Sequence, residues 1–397
     1  MTEHVVKQPL ENMQYCSRCC MPQTCEGIAF DEMGICLACR SSEQKMHMNW
    51  QARRKALEEI LESAKKQAGN NYDCIIPISG GKDSAFQLHT LVKVFGMKPL
   101  AVTFSHNWFS KVGWYNLYNI LEQLNVDHIM FTPNRKLVNQ LAKQSLSGIG
   151  DSCWHCHSGV GAFPLQIAAK FKIPLIVWGE SVADSSGRAT YETKKENFDK
   201  DYFTRISAKR TPKQMISERV TQRDLNPFEY PTVEELEAVG VYGIHLGDYI
   251  FWDDERQEEF VKRVYQWKET NIEGTYKRYK SAECIMPGVH DYSCYLKRGF
   301  GRATVHASQD VRAGLITREE GFELIKEHDS KRPDALDYYL EITEQTEDEF
   351  NNVLLSHRHE SIKDVTLPIT LKQQTKETKK IKPFVLELID EIQASKD

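Results

Sequence analysis

The stretch Ile78-Ser79-Gly80-Gly81-Lys82-Asp83-Ser84 constrains this chain more than any other. The residues before it, 72–78, form a short apolar run, and residues 84–95 after it have helical periodicity. A Gly-rich turn between a strand and a helix lets the backbone approach an anion, and the free N–H groups of the helix start point at it. Ser79 and Ser84 add hydroxyl donors, Lys82 adds positive charge, and Asp83 is a candidate ligand for a magnesium ion on bound phosphates. The spacing is not that of a Walker A loop, G-x4-G-K-[ST]. Downstream, 99–104, 128–132 and 174–179 read as buried strands, and 114–124, 134–147 and 159–171 read as helices. That alternation predicts an α/β fold with a parallel sheet covered on both faces.

Cysteine is the second informative residue. There are eleven, an odd number, and six fall within residues 1–45. No apolar run approaches the roughly 18–20 residues of a membrane span. The N-terminal Met-Thr-Glu-His-Val-Val-Lys lacks the apolar core of a secretory signal, so a cytoplasmic location is expected. In a reducing compartment, paired cysteines point to metal or catalysis before disulfides. Cys16-x2-Cys19, sixteen residues, then Cys36-x2-Cys39 has the spacing of a zinc ribbon, with Zn2+ as the natural ion for four thiolates. Cys20 and Cys25 are spare thiols, and Cys20 competes with Cys19 for the ligand register. Three readings stay open for Cys153-Trp154-His155-Cys156-His157. The pair joins Cys284 or Cys294 in an iron–sulfur or second zinc site, contacts substrate, or is simply buried.

At 397 residues, two or three domains are expected. The boundaries fall at 1–45 for the zinc-ribbon module, 46–250 for the α/β domain, and 251–397 for a mostly helical region with a Lys-rich linker and a terminal helix. The segment 184–230 reads as a polar insertion, 271–310 as weakly periodic, and 366–382 as the linker. The net charge of −5 argues against a broad basic face for nucleic acid. Tyr276-Lys-Arg-Tyr279-Lys280 interleaves aromatic and basic side chains, which suits a nucleic-acid patch, a sugar-nucleotide surface or a solvated helix face. His290, Asp291 and His306 are candidate acid–base groups, and Lys297 and Arg302 candidate anion contacts.

The phosphate-loop string resembles the S-G-G-x-D-S signature of PP-loop ATP pyrophosphatases. That resemblance implies ATP and Mg2+, attack at the α-phosphate, and release of AMP and pyrophosphate. It implies adenine against the 99–104 strand and makes Gly179 a neighbour of ribose or phosphate. The chain as a whole resembles the N-acetyl sugar amidotransferases of the WbpG and PseA type. The resemblance rests on Cys16-Ser-Arg-Cys19-Cys-Met-Pro22 through Cys39, on the phosphate loop, and on Lys297-Arg-Gly-Phe-Gly-Arg302-Ala-Thr with Thr317-Arg-Glu-Glu320 after it. It implies that ATP activates the N-acetyl carbonyl oxygen of a bacterial surface-glycan sugar or nucleotide sugar, and that ammonia then gives an acetamidino group. Asp83, Lys82 and Arg302 would carry the chemistry. The expected partners are a glutaminase subunit and a cyclase-like subunit that deliver ammonia. No cysteine sits on a G-x-C-x-G elbow, so a built-in triad glutaminase is not expected. A PP-loop tRNA thiolase with a [4Fe-4S] cluster on the mid-chain cysteines is the alternative.

Overall fold

The computed structural model describes residues 8–185, 190–191, 200–371 and 381–395. Most of the Lys-rich linker and the Lys194-Lys195 part of the polar insertion lie outside the described residues.

Five strands form one parallel sheet: β1 (Cys74–Pro77), β2 (Pro99–Phe104), β3 (His128–Phe131), β4 (Leu175–Trp178) and β5 (Tyr242–His245). Their order is β3-β2-β1-β4-β5. Alternate side chains go to opposite faces, as strand geometry requires. Ile76, Ala101, Val177 and Ile244 pack into one core, while Ile75, Val102, Phe104 and Ile176 pack into another. After α1 (Leu37–His47), which ends the cysteine module, the first core is closed by α2 (Trp50–Ala68), α3 (Lys82–His89) and α4 (Lys111–Leu124) through Leu57, Leu61, Leu88 and Leu117. The second is closed by α5 (Arg135–Ile149), α6 (Trp154–Phe171) and the segment 203–230. The α/β fold with a parallel sheet is as the sequence predicts. β1 lies where the strand order reverses, and open α/β sheets bind ligands outside the carboxyl ends of strands at that point. The loop 78–81 is at that end of β1.

Several elements differ from expectation. α6 begins at Trp154, not at 159, so Cys153 is its N-cap residue and Cys156 and His157 are in its first turn. The weakly periodic stretch 271–310 contains two helices, Pro287–Arg298 and Arg302–Arg312. The first buries Val289, Tyr292, Tyr295 and Leu296 at helical spacing, a period the surrounding Gly, Arg and Cys residues mask, while the second buries mainly small and polar groups, Ala303, Thr304, His306, Ala307, Ser308 and Asp310. The region 334–356 is two helices, Ala335–Thr343 and Glu347–Ser356, the second opened by a capping box of Thr346 and Glu349. Thr317 and Glu320 form the same box on Arg318–His328.

The N-terminal module packs against this helical region. Arg318 donates to the carbonyl oxygens of Cys16 (2.9 Å) and Cys19 (3.0 Å). The terminal helix Phe384–Ala394 buries none of its residues and is tethered by the Phe384 N–H to the Phe109 carbonyl at 2.9 Å.

Candidate active site

The glycine loop 78–81 is held open by its neighbours. Gly80 has φ +85°, and a Cβ there would meet the Gly113 carbonyl oxygen at 2.7 Å. The Trp267 indole N–H donates to the Gly80 carbonyl at 2.9 Å. On the far side of Gly113, a Cβ would fall 2.4 Å from the Glu283 Cα. Gly113 is therefore a spacer that lets the phosphate loop, α4 and the Glu283 backbone stack in contact. Gly113→Ala should cost at least the roughly 1–3 kcal/mol of an overpacked site. Equilibrium denaturation reads that loss. An unchanged midpoint would mean that Glu283 moves away freely.

Lys82 is 1% exposed, unusual for a lysine unless paired. Its ammonium bonds the Asp83 carboxylate and lies 2.5 Å from Asp254. Asp254 also takes Lys280 at 2.5 Å. Burial opposes ionisation of Asp254, but Lys82 and Lys280 outweigh it and hold the carboxyl well below the usual range. Lys280 is pulled down by burial and held up more strongly by Asp254 and Asp83. Two cations are thus fixed at the start of α3, where the helix N-terminus also favours an anion.

A cleft of about 280 Å³ opens on this group, lined by Ser79, Gly81, Lys82, Asp83 and Ser84 on one side. Lys280, Glu283, His306 and Gln309 line the other. Ser84 Oγ donates to the Gly81 carbonyl at 2.9 Å, and the Gly81 N–H lies 3.3 Å from Ser79 Oγ. Asp83, about one-third exposed, is suitably placed at the cleft to share a magnesium ion with phosphates, which is how that ion is usually held. His306 is held neutral by burial, with its Nδ1 at 2.7 Å from Thr275 Oγ1. Glu283 Oε2 is buried with no hydrogen-bond partner, and burial raises its pKa.

Glu180, two residues past β4, faces the same cleft. It retains some exposed surface but is densely surrounded by protein. That desolvation, with Asp254 and Asp83 adding to it and Lys280 and Lys82 opposing, pushes its pKa up to about 8. The consequence has a definite sign. Between the ordinary Glu value of about 4.3 and about 8, the folded protein keeps a proton that the unfolded chain has released. Glu180 therefore makes stability fall as pH rises through that window and level off above it. Glu180→Gln should flatten that part of the stability–pH curve. Denaturant melts across the window test this, and an unchanged slope in the variant would rule Glu180 out.

A second, larger cleft of about 950 Å³ adjoins the first and shares Glu180, Tyr279 and Gln309 with it. Its walls come from the N-terminal module (Arg18, Glu43), from 251–256, and from 309–315.

The four cysteines expected to bind zinc come together. Cys16, Cys19, Cys36 and Cys39 are buried with their sulfurs within 4.8 Å of one another. The Cys16–Cys39 and Cys19–Cys36 separations are 3.9 and 3.6 Å. Four sulfurs about 2.3 Å from a tetrahedral zinc lie about 3.8 Å apart, so this donor set fits zinc. Cys20 points elsewhere, toward the Arg318 carbonyl at 3.7 Å. Burial raises the Cys153, Cys156 and Cys284 thiols, Cys156 to about 12. Cys153, Cys156 and Cys284 are near enough to perturb one another. Cys294 instead senses Lys297, Asp291 and Arg298.

Arg302 does not reach into the phosphate cleft as an unengaged cation. Its Nε pairs with Asp291 and its NH1 donates to Ser281 Oγ at 2.9 Å. Lys297 packs against Gly150. The Gly-rich block between them is a helix-to-helix turn: Gly299 has φ +74°, and Asp329 accepts from the Gly301 and Ala303 N–H groups, both at 2.8 Å. Gly179 follows β4 next to Gln87 and Trp252, just behind Glu180. The β2 side chains expected under adenine are all buried. His290 is pulled down by burial but held up to about 10 by Asp151 and Asp291. The stretch 276–280 is neither a helix nor a solvated face: Tyr276 and Lys277 bond Asp310, and Tyr279 bonds Glu255. Glu180, Asp254 and Glu283 were not anticipated as site residues, and Lys280 was expected only as part of the aromatic and basic stretch 276–280. They are single charged residues whose meaning depends on partners far away in sequence.

Residues 273–370 match the family model for the LPS biosynthesis protein WbpG-like C-terminal domain. This matched segment supplies Lys280, Glu283, His306 and Gln309, one whole side of the phosphate-loop cleft. The chain is also similar to an uncharacterised protein of Methanocaldococcus jannaschii, 34% identical over 100 residues. That match spans 25% of this chain and about a third (35%) of the relative. Among solved structures, NMN synthetase from Francisella tularensis aligns over 57% of this chain and 98% of its own, with 13% identity and a TM-score of 0.27. That likeness is too low to bear on fold or function.

Proposed function

We propose that the protein is an ATP-using enzyme of glycan biosynthesis, an AMP-forming amidotransferase acting on an N-acetylated sugar. The observation that carries the reading is the shared cleft. A Gly-Gly loop with a buried lysine at a helix start faces residues of a segment matched to an LPS biosynthesis domain. In this reading the triphosphate lies on the Gly81, Lys82 and Ser84 end of α3, with Lys82 and Lys280 neutralising it. Magnesium, held by Asp83, supplies further charge neutralisation when bound. The acceptor occupies the larger cleft, where Phe251 offers an exposed ring for a sugar face. Its N-acetyl oxygen attacks the α-phosphate, forming the new O–P bond as pyrophosphate leaves. Ammonia then adds to the activated carbon and loses a proton, and AMP departs with the former carbonyl oxygen. Ammonia comes from a glutaminase subunit through a cyclase-like partner, and zinc in the four-thiolate site keeps the N-terminal module folded.

The test is product analysis with ATP, ammonium and N-acetylated nucleotide sugars. AMP and pyrophosphate should appear in step with an acetamidino sugar. ADP and phosphate, or AMP without amidine, would overturn the reading. The nearness of Cys153, Cys156 and Cys284 favours the tRNA thiolase as second reading. It requires iron with acid-labile sulfide, and activity lost in air.

A further inference from the structure

Where the loop before α6 meets the helix Pro287–Arg298, three potential ligand atoms converge outside both clefts. Asp151 precedes α6, His157 is in its first turn, and His290 is on the facing helix. Their ligand atoms all lie within 4.8 Å of one another. His157 Nδ1 is 3.5 Å and His290 Nε2 3.7 Å from the same oxygen, Asp151 Oδ2. Those separations are too long for hydrogen bonds, whose N···O distances run about 2.7–3.2 Å. They match the edge of a coordination polyhedron instead: ligand atoms about 2.1 Å from a tetrahedral ion lie about 3.4 Å apart. His157 Nδ1 is buried and has no hydrogen-bond partner.

The surroundings fix these atoms in place. The other Asp151 oxygen, Oδ1, accepts the Cys153 N–H at 2.7 Å, leaving Oδ2 to the imidazoles. His290 Nδ1 bonds Asp291 Oδ1 at 3.0 Å, which directs Nε2 inward. Asp291 is itself held by Arg302. A carboxylate behind an imidazole is the usual support of a metal-bound histidine. All three side chains keep between one-sixth and one-third of their surface exposed, so the cluster lies close to solvent although His157 Nδ1 itself is covered, and three ligands leave a fourth coordination position open. We propose that Asp151, His157 and His290 form a second metal site, for a divalent first-row transition ion of the zinc class, distinct from the four-thiolate site. Two nitrogens and one carboxylate with an open position suit such an ion better than calcium or magnesium. The ion would also brace Asp291 and, through it, the Arg302 contact to Ser281 at the cleft wall. This inference does not depend on the amidotransferase reading.

Cobalt titration of the full chain, after mild chelation that leaves one zinc per chain at the four thiolates, tests it. One equivalent should bind, adding weak visible bands without intense sulfur-to-cobalt charge transfer and shifting imidazole N–H proton resonances of two histidines, a readout that needs no variant. His157→Gln and His290→Gln should each lose that equivalent and keep the zinc. No binding of cobalt would overturn the proposal. So would an equivalent with thiolate charge transfer that Cys156→Ser removes, or one that survives both histidine changes.

Discussion

Lys82→Met should lower ATP turnover by roughly 10²–10³-fold, the scale of removing one preorganised charge donor from a reacting anion. Methionine keeps most of the volume and the straight shape, so packing survives while the charge is lost. The folded state should tolerate the change better than a broken buried pair usually allows. Removing one partner of such a pair costs roughly 3–5 kcal/mol when the other is left alone. Here Asp254 keeps Lys280, at 2.5 Å, so the stability loss should fall below that range. The two readouts separate cleanly: pyrophosphate release should collapse while the thermal midpoint moves little. Turnover within a few-fold of the parent would remove Lys82 from the chemistry.

Cys36→Ser, or stripping the four-thiolate site with a chelator, should produce the largest structural effect. Structural zinc contributes apparent binding free energies of about 10–16 kcal/mol in small zinc domains, and that energy is folding energy. The module has few alternatives, because its own core is little more than the cysteines with Met21, Ile35 and Ala38. The damage should spread. Arg318 spends its guanidinium on the Cys16 and Cys19 carbonyls, and the module walls the larger cleft through Arg18 and Glu43. Loss of zinc should therefore weaken acceptor binding more than nucleotide binding. Zinc analysis, a melting curve and separate titrations of the two ligands check this. Unchanged zinc content and melting in Cys36→Ser would show that Cys36 is not a ligand.

How much of this was legible beforehand depended on the range of the interaction. The central strands and the turn from β1 into α3 were readable because their signals are local: an apolar run, a Gly-Gly turn, a helix start. The cysteine spacing was readable for the same reason. β5 escaped because Tyr242-Gly-Ile-His is a four-residue strand with one buried side chain. The helix Arg302–Arg312 escaped because it buries small and polar groups, and such groups leave no strongly apolar stripe. The acidic members of the cleft escaped for a deeper reason. Asp254 is an ordinary surface residue type until the fold pairs it with both Lys280 and Lys82, the latter 172 positions away. Arg302, expected as an anion contact, is held by Asp291 and Ser281, a pairing that its place in a glycine-rich block did not reveal.

The Arg318 clasp on the cysteine module also has a bearing on synthesis. Cys16 and Arg318 are 302 positions apart. A ribosome adding roughly 5–20 residues per second needs about 15–60 s to cover that distance. Throughout that interval the nascent module has no helical bed to lie on and four thiols open to oxidation or mispairing. An ion taken up early would act as a placeholder, keeping the first-made part of the chain in shape until the last-made part arrives to receive it. Metal supply during translation, rather than afterwards, would then govern the yield of active protein.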